Sequence, residues 1–356
     1  MQNALLYFLL KEWLLVAAMA ALLATSAYLG RIPTYTANDV TPILLLLALF
    51  IAVKGIENSG ILGRLGSKLE NGKQLPAKLV IITFLLSAIV TIDVSLVAII
   101  PLILGLNIKQ RDHLVILTAL TAHAGAALTP FGTPQNLFIF SFYDVSASQF
   151  IETIAPFSFG MLAVFLLYAL FMKTAPIDKL PVVNMVVETR SVIVYAVLLL
   201  WVTLCVLRIL PPSAALLAVA YPLLRDRAAL KVDYALLVTF LCFIGLADNI
   251  TVIIAGGLQH SHHVFLFSAL LSQFISNVPT TLLLSHFTGH WDALLWGTNV
   301  GGFGSLIAAM ANLIAYKLYV SHGDGNTLSF TLKFMLAGYL ALLISGGIYF
   351  GVRTMP

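Results

Sequence analysis

Charge is what this chain has least of. Of its 356 residues only 10% are Asp, Glu, Lys or Arg, while 60% belong to the apolar set; a soluble domain carries about 25% charged residues. The shortfall excludes an ordinary cytosolic or secreted protein, a disordered chain and a nucleic-acid binder. Cysteine is nearly absent as well. Cys205 and Cys242 both lie inside apolar runs and read as buried small hydrophobes, which excludes a disulfide framework or a thiolate metal site. Neither H-E-x-x-H nor G-x-S-x-G occurs, and no candidate nucleophile has a base beside it. No enzyme is expected, and neither a cofactor nor a structural metal.

What the chain does have is long apolar runs, with a mean hydropathy of +1.00. They are unbroken, where barrel strands would alternate every second residue. The expected fold class is therefore an all-α polytopic membrane protein, with the lipid bilayer as its first partner. Windows of about 20 apolar residues suffice to cross about 30 Å of hydrocarbon. They fall near 12–29, 40–57, 113–143, 150–172, 190–209, 212–224, 233–257, 292–320 and 331–351. Two more runs, 77–106 and 263–286, are interrupted mid-way by polar residues and read as re-entrant hairpins. With the N-terminus cytoplasmic, sixteen of the nineteen Lys and Arg fall on the cytoplasmic side, leaving Arg31, Arg208 and Arg353 opposite. That is a strong positive-inside bias, and it puts the C-terminus in the periplasm. The first run lacks an early basic region, so it reads as a span and not as a cleaved signal.

Self-comparison reveals an internal repeat. AALLATSAYLGR (20–31) resembles AALLAVAYPLLR (214–225), and Asp39 and Asp233 keep the same offset of 194. LLSAIVTIDV (85–94) lies beside LLSQFISNV (270–278) with one residue deleted. AHAGAALTPFGTPQNLFIF (122–140) lies gaplessly on TNVGGFGSLIAAMANLIAY (298–316), pairing His123 with Asn299, Gly125 with Gly301, Thr129 with Ser305 and Asn136 with Asn312. The expected organisation is a first repeat over 1–172, a connecting stretch over 173–211 and a second, inverted repeat over 212–356. Each repeat carries one hairpin (77–106, 263–286) and one broken helix (113–143, 292–320). Inverted repeats with discontinuous helices are the architecture of secondary transporters, which bind near the midplane at the repeat interface.

The breaks hold the candidate chemistry. A helix interrupted at membrane depth must line protein or a water-filled cavity. In LTPFGTPQ (128–135), Pro130 and Pro134 remove two backbone donors and Gly132 permits a turn; Thr133 then sits at an N-cap with Pro134 at N1. The second break uses Gly301, Gly302, Gly304 and Ser305. The hairpin tips carry Thr91 and Asp93, then Ser276 and Asn277. Four helix ends are expected to converge on one volume, where their N–H groups suit an anion and the hydroxyl, amide and carboxylate oxygens suit a small cation. The expected substrate-binding residues are Thr91, Thr129, Thr133, Asn136, Ser276, Asn277, Asn299, Ser305 and Asn312. Asp93, Asn277 and Asp248 are the candidates for a coupling ion, Na+ or H+. An acid at the centre of a membrane helix costs about 2.5–3.5 kcal/mol, so Asp93 is either the coupling carboxylate or the N-cap of an arm starting at Val94. Asp248 is expected beside a helix break. Lys54 and Glu57 are expected to pair, His123 to be a satisfied bundle histidine, His260, His262 and His263 to form a solvated cluster, and the aromatics to face lipid or the interface. No Arg or Lys lies near a break in sequence.

These residues resemble a known family. TIDVSLVAIIPL (91–102) looks like the Asn-Asp-x-Ala-Leu-x-x-x-x-Pro stretch of the ion transporter superfamily, in its citrate-metal symporter and arsenite permease branches. LTPFGTPQNL (128–137) resembles that superfamily's Thr-Pro-x-Gly-x-Pro-x-Asn signature, and SNVPTT (276–281) its second tip, Ser-Asn-x-Pro. Ile92 departs from the pattern by standing where the tip has Asn. The combination is similar to a subgroup of bacterial inner-membrane permeases. The resemblance implies a secondary active transporter of a small anion or oxyanion, coupled to protons or sodium, working by an elevator movement of the hairpin-bearing domain. A sodium/proton antiporter on the same fold is the alternative. The oligomeric state, a homodimer or otherwise, stays open.

Overall fold

The computed structural model describes residues 12–61, 74–105, 110–172, 188–253, 260–323 and 326–354. Lys11, Arg64, Lys68, Lys73, Lys109, Lys173 and Lys179, counted in the charge bias, lie outside the described residues. Helices α1 (Trp13–Leu29) and α2 (Ala37–Asn58) precede a hairpin of α3 (Leu75–Ile89) and α4 (Ile92–Gly105). A broken helix follows as α5 (Arg111–Ala127) and α6 (Pro134–Phe142), then the long α7 (Ala147–Phe171). Helix α8 (Thr189–Val206) leads to a second set. That set comprises α9 (Leu216–Arg225), α10 (Tyr234–Ile253), hairpin arms α11 (Ser261–Ile275) and α12 (Asn277–Leu284), the broken pair α13 (Trp291–Gly302) and α14 (Met310–Ser321), and α15 (Thr327–Thr354). No strand occurs among the described residues. Among the described residues five helical stretches are long and apolar enough to cross a bilayer, and the chain is an all-α polytopic membrane protein. The short run at 212–224 becomes a 3-10 turn, Pro212–Ala215, continued by α9.

Local sequence explains the starts. Helix α6 opens with Pro134 at N1, where its missing N–H costs nothing. Helix α7 opens on a capping box: the Ser146 hydroxyl accepts the Gln149 N–H at 3.3 Å. Helix α4 starts at Ile92, not Val94, because the chain needs only Val90 and Thr91 to turn back. That corrects the N-cap reading of Asp93, which lies inside the first turn of α4. Helix α10 runs unbroken through Asp248, so no helix break exists there.

The two sets make the same bonds. Asn136 Nδ2 donates to Ala126 O, Ala127 O and Thr129 O, and Asn312 Nδ2 donates to Gly302 O and Ser305 O at 3.0 Å each. Thr129 Oγ1 donates to Ala88 O at 2.9 Å, and Ser305 Oγ to Gln273 O at 3.2 Å. The Ile92 N–H reaches Gly132 O at 3.2 Å, and the Asn277 N–H reaches Ala308 O at 2.8 Å. Helix packing repeats too: a Cβ on Gly125 would collide with Phe84 O and Ser87 Oγ, and one on Gly301 would crowd Ala269 and Ser272. These pairs correct the hairpin alignment. Thr91 matches Ser276, Ile92 matches Asn277 and Asp93 matches Val278, with nothing deleted.

Three ion pairs account for the arginines that fall on the sparse side of the charge count. Arg31 pairs with Asp248, Arg208 with Asp144 at 2.7 Å, and Arg353 with Asp292. Lys54 pairs with Glu57 at 3.0 Å, as its spacing predicts. Many aromatics are not interfacial at all. Phe138, Phe157, Phe303, Trp296 and Tyr349 are fully buried among the helices. His260, His262 and His263 are exposed, as a solvated cluster would be, but they sit at the N-cap and in the first turn of α11 and not in a loop, with His262 edge-on to Tyr349.

Candidate functional site

Each hairpin tip is clasped to the neighbouring break. The backbone at Ser276 takes φ +75°, ψ 155°, a region that side chains avoid and that costs about 1–3 kcal/mol. Its position is over-determined: the flanking Asn277 N–H is held by Ala308 O, and Ser276 Oγ reaches the same carbonyl at 3.3 Å. Gln273 completes the clasp by accepting the Ser305 N–H at 2.9 Å and donating to Gly301 O.

The consequence is a single cavity of about 270 Å³ on which four helix N-termini open. Ile92 and Asp93 of α4, Thr133 to Gln135 at the start of α6, Ser276 to Pro279 of α12 and Ala309 to Ala311 of α14 all line it. First-turn N–H groups have no intrahelical partner, and their dipoles favour negative charge. Several side-chain atoms here are buried with no partner: Thr133 Oγ1, Gln135 Nε2 and His123 Nδ1. Thr133 holds the N-cap position, yet its hydroxyl caps nothing. His123 Nε2 lies 2.9 Å from the Asn299 carbonyl, so that nitrogen donates and Nδ1 is left as a buried acceptor.

A second cavity of about 210 Å³ lies alongside, lined by Lys54, Glu57, Thr91, Asp93, Lys231 and Asp233 among others. Asp93, Asp233, Leu236 and Met310 border both cavities. Lys317 lines the first. The chain fold thus brings three lysines beside the breaks, which corrects the expectation that none is near.

Of the residues singled out in sequence, Asp93, Thr133, Ser276 and Asn277 border the first cavity, and Thr91 the second. Thr129, Asn136, Asn299, Ser305 and Asn312 do not line the first. They fasten the breaks, and Asn299 Nδ2 ties the two sets together by donating to Asn136 Oδ1 at 2.8 Å. Asp248 is elsewhere: besides Arg31, it accepts the Thr34 N–H at 3.0 Å. Sequence reasoning missed Gln135, Lys317, Lys231 and Asp233. Gln135 could have been found as the remaining polar residue of TPFGTPQN, and Asp233 from its pairing with Asp39 in the repeat. The two lysines carried no local signal.

The sequence signature of the citrate transporter family matches residues 5–301. The chain belongs to that family. An uncharacterized transporter of Methanocaldococcus jannaschii is 36% identical over 70% of this chain and 72% of its own length. Inner membrane protein YbiR of Escherichia coli is 31% identical over 79% of this chain and 80% of its own. A silicon efflux transporter of Oryza sativa subsp. japonica is 28% identical over 40% of this chain and 31% of its own. The protein is a multi-pass membrane transporter, and the cavity between the four helix N-termini is its candidate binding site. Among the described residues no group of three or more His, Cys, Asp or Glu is placed to hold a metal ion.

Proposed function

We propose that the protein is a secondary active transporter carrying a small anion or oxyanion across the bacterial inner membrane, driven by protons or sodium. One observation carries the reading: four helix N-termini border one cavity of about 270 Å³, and Thr133 and Gln135 in its wall keep buried side-chain donors without partners. Such a site offers N–H and O–H groups to an anion without a direct arginine clamp. Lys317 supplies a permanent positive charge on the same wall. The volume suits a small solute; citrate in the family's name and silicon in one relative's name, carried in water as an oxyacid, agree with an oxygen-rich one. The N-terminus is cytoplasmic and the C-terminus periplasmic in this reading. The two clasped tip-and-break units move together as the elevator, since their polar groups are spent on each other.

The test is Thr133→Val in proteoliposomes. The hydroxyl makes no structural bond and its burial without a partner is itself a cost, so the substrate-free variant should melt no lower than wild type, while uptake of the anion identified by ligand-dependent stabilisation should fall about tenfold, the worth of one lost charge-assisted bond. Undiminished uptake by the well-folded variant rejects the site. A second reading, sodium/proton exchange, is favoured by Asp93, which has no hydrogen bond or ion pair among the described residues and borders both cavities. The two readings separate on whether a sodium-driven pH change in proteoliposomes requires any anion.

A further inference from the structure

We propose that Asp93 and Asp233 together form the coupling-cation site, and that a single positive charge between them, a sodium ion or a proton, holds the first hairpin tip against the start of α10. The inference rests on the transporter reading above and adds its second carboxylate. Asp93 stands in the first turn of α4 and Asp233 immediately before α10, and both border the two adjoining cavities. Asp233 uses one oxygen to accept the Leu236 N–H at 2.9 Å, which leaves the other without a hydrogen bond among the described residues. Thr91 supplies an independent pointer: it borders the second cavity, is only 6% exposed, and its hydroxyl has no partner. Two carboxylates and a hydroxyl, oxygen donors from two separate helices, suit a small hard cation.

The surrounding charges do not cancel the pair. Glu57 adds a third carboxylate on the same wall, but its charge is matched by Lys54 at 3.0 Å. Lys231 borders the second cavity, Glu12, Lys317 and His123 the first. Asp233 and Glu57 both repel the charge of Asp93. With no cation between them, two like charges meet across a small cavity, and the tip is pushed away from α10. With one bound, the repulsion becomes a bridge. The cation would thereby set the position of the tip that also lines the substrate cavity, which is the physical content of coupling.

The test uses the purified full chain and the cation alone. Thermal unfolding is followed against sodium chloride at alkaline pH, with choline chloride holding ionic strength, and separately against pH without sodium; the two arms distinguish sodium from proton. Wild type is expected to be stabilised in one arm. Asp93→Asn and Asp233→Asn should each weaken that response about tenfold or more, with the double variant little worse than either, as for groups that act as a unit. Asn keeps the capping acceptor that Leu236 needs, so a merely structural role for Asp233 would leave the response unchanged. Met310→Lys, placing an ammonium in the wall shared by both cavities, should abolish the response by standing in for the cation. If Asp93→Asn loses the response while Asp233→Asn and Met310→Lys keep it, the two-carboxylate site is overturned and Asp93 alone retains its coupling role. If no variant differs from wild type, or wild type responds in neither arm, both the site and the coupling reading of Asp93 fall.

Discussion

Replacing Asn136 by Ala tests the central fastening of the molecule. Its amide is completely buried, donates to Ala127 O at 3.0 Å, makes longer contacts to Ala126 O and Thr129 O, and accepts the Asn299 amide at 2.8 Å. Two good bonds at about 0.5–1.5 kcal/mol each, plus the carbonyls and the Asn299 donor left unsatisfied, put the cost of Asn136→Ala at about 2–4 kcal/mol. Asn312 occupies the matching place but makes only the two bonds to Gly302 O and Ser305 O. Among the described residues it has no bond across to the other set, so Asn312→Ala should cost less, about 1–3 kcal/mol. The cross-link is isolated by a double-mutant cycle. Asn136 and Asn299 should couple by about 0.6–1.7 kcal/mol, the range for interhelical hydrogen bonds in membranes. Asn312 and Asn299, which share no bond, should couple by less than about 0.5 kcal/mol. The measurement is reversible unfolding of the purified protein in detergent. Equal coupling in the two cycles, or a larger cost for Asn312→Ala, would refute the claim that Asn136 joins the two sets.

Cysteines introduced at Ser261 and Gly323 should react with a membrane-impermeant reagent from opposite sides, Ser261 from outside; labelling of both from one side breaks the inverted arrangement. Gly125→Ala should destabilise by about 1–3 kcal/mol, because the new methyl meets backbone at Phe84 and cannot be accommodated by a rotamer change; an unchanged unfolding midpoint contradicts the close packing of α3 on α5. Thr129→Val removes the bond to Ala88 O and should lower stability by about 1 kcal/mol, in contrast to Thr133→Val, and thermal melts of the two variants side by side decide it. Arg31→Ala and Asp248→Ala should each cost at most about 1 kcal/mol and the double no more than the larger, since the pair is partly exposed; simple additivity in the same melts removes the pair from the account.

The helices were legible because their signals are local and strong. Apolar runs, Pro134 after Thr133 and the interrupted hairpins locate the broken elements within a few residues of where they lie. Asn136 and Asn312, aligned with each other along the sequence, each bind carbonyls of their own break. What misled was length: matching Asp93 to Asn277 by chemistry required a deletion, while the backbone bonds of Ile92 and Asn277 require none. The start of α4 was misplaced by two residues because an acid near a helix end resembles a cap, and the turn proved tighter than a cap at Asp93 would need.

The site was legible only in part, and the division follows hydrogen bonding. Polar residues in a membrane break have two uses, to satisfy the backbone that the break exposes or to meet a solute, and the sequence does not distinguish them. Thr129, Asn136, Ser305 and Asn312 spend their donors on carbonyls that the breaks leave open, as any break at membrane depth demands. Thr91, Thr133 and Gln135 keep buried atoms without partners, an arrangement that costs about 1–3 kcal/mol per group unless something binds there. The unpartnered atoms are therefore the better guide to the solute. Lys54, Lys231 and Asp233 come from α2 and from the approach to α10, far in sequence from any break, and only tertiary packing sets them beside Asp93. A carboxylate that looks isolated along the chain is thus one of three, and its charge has to be read as that of a group.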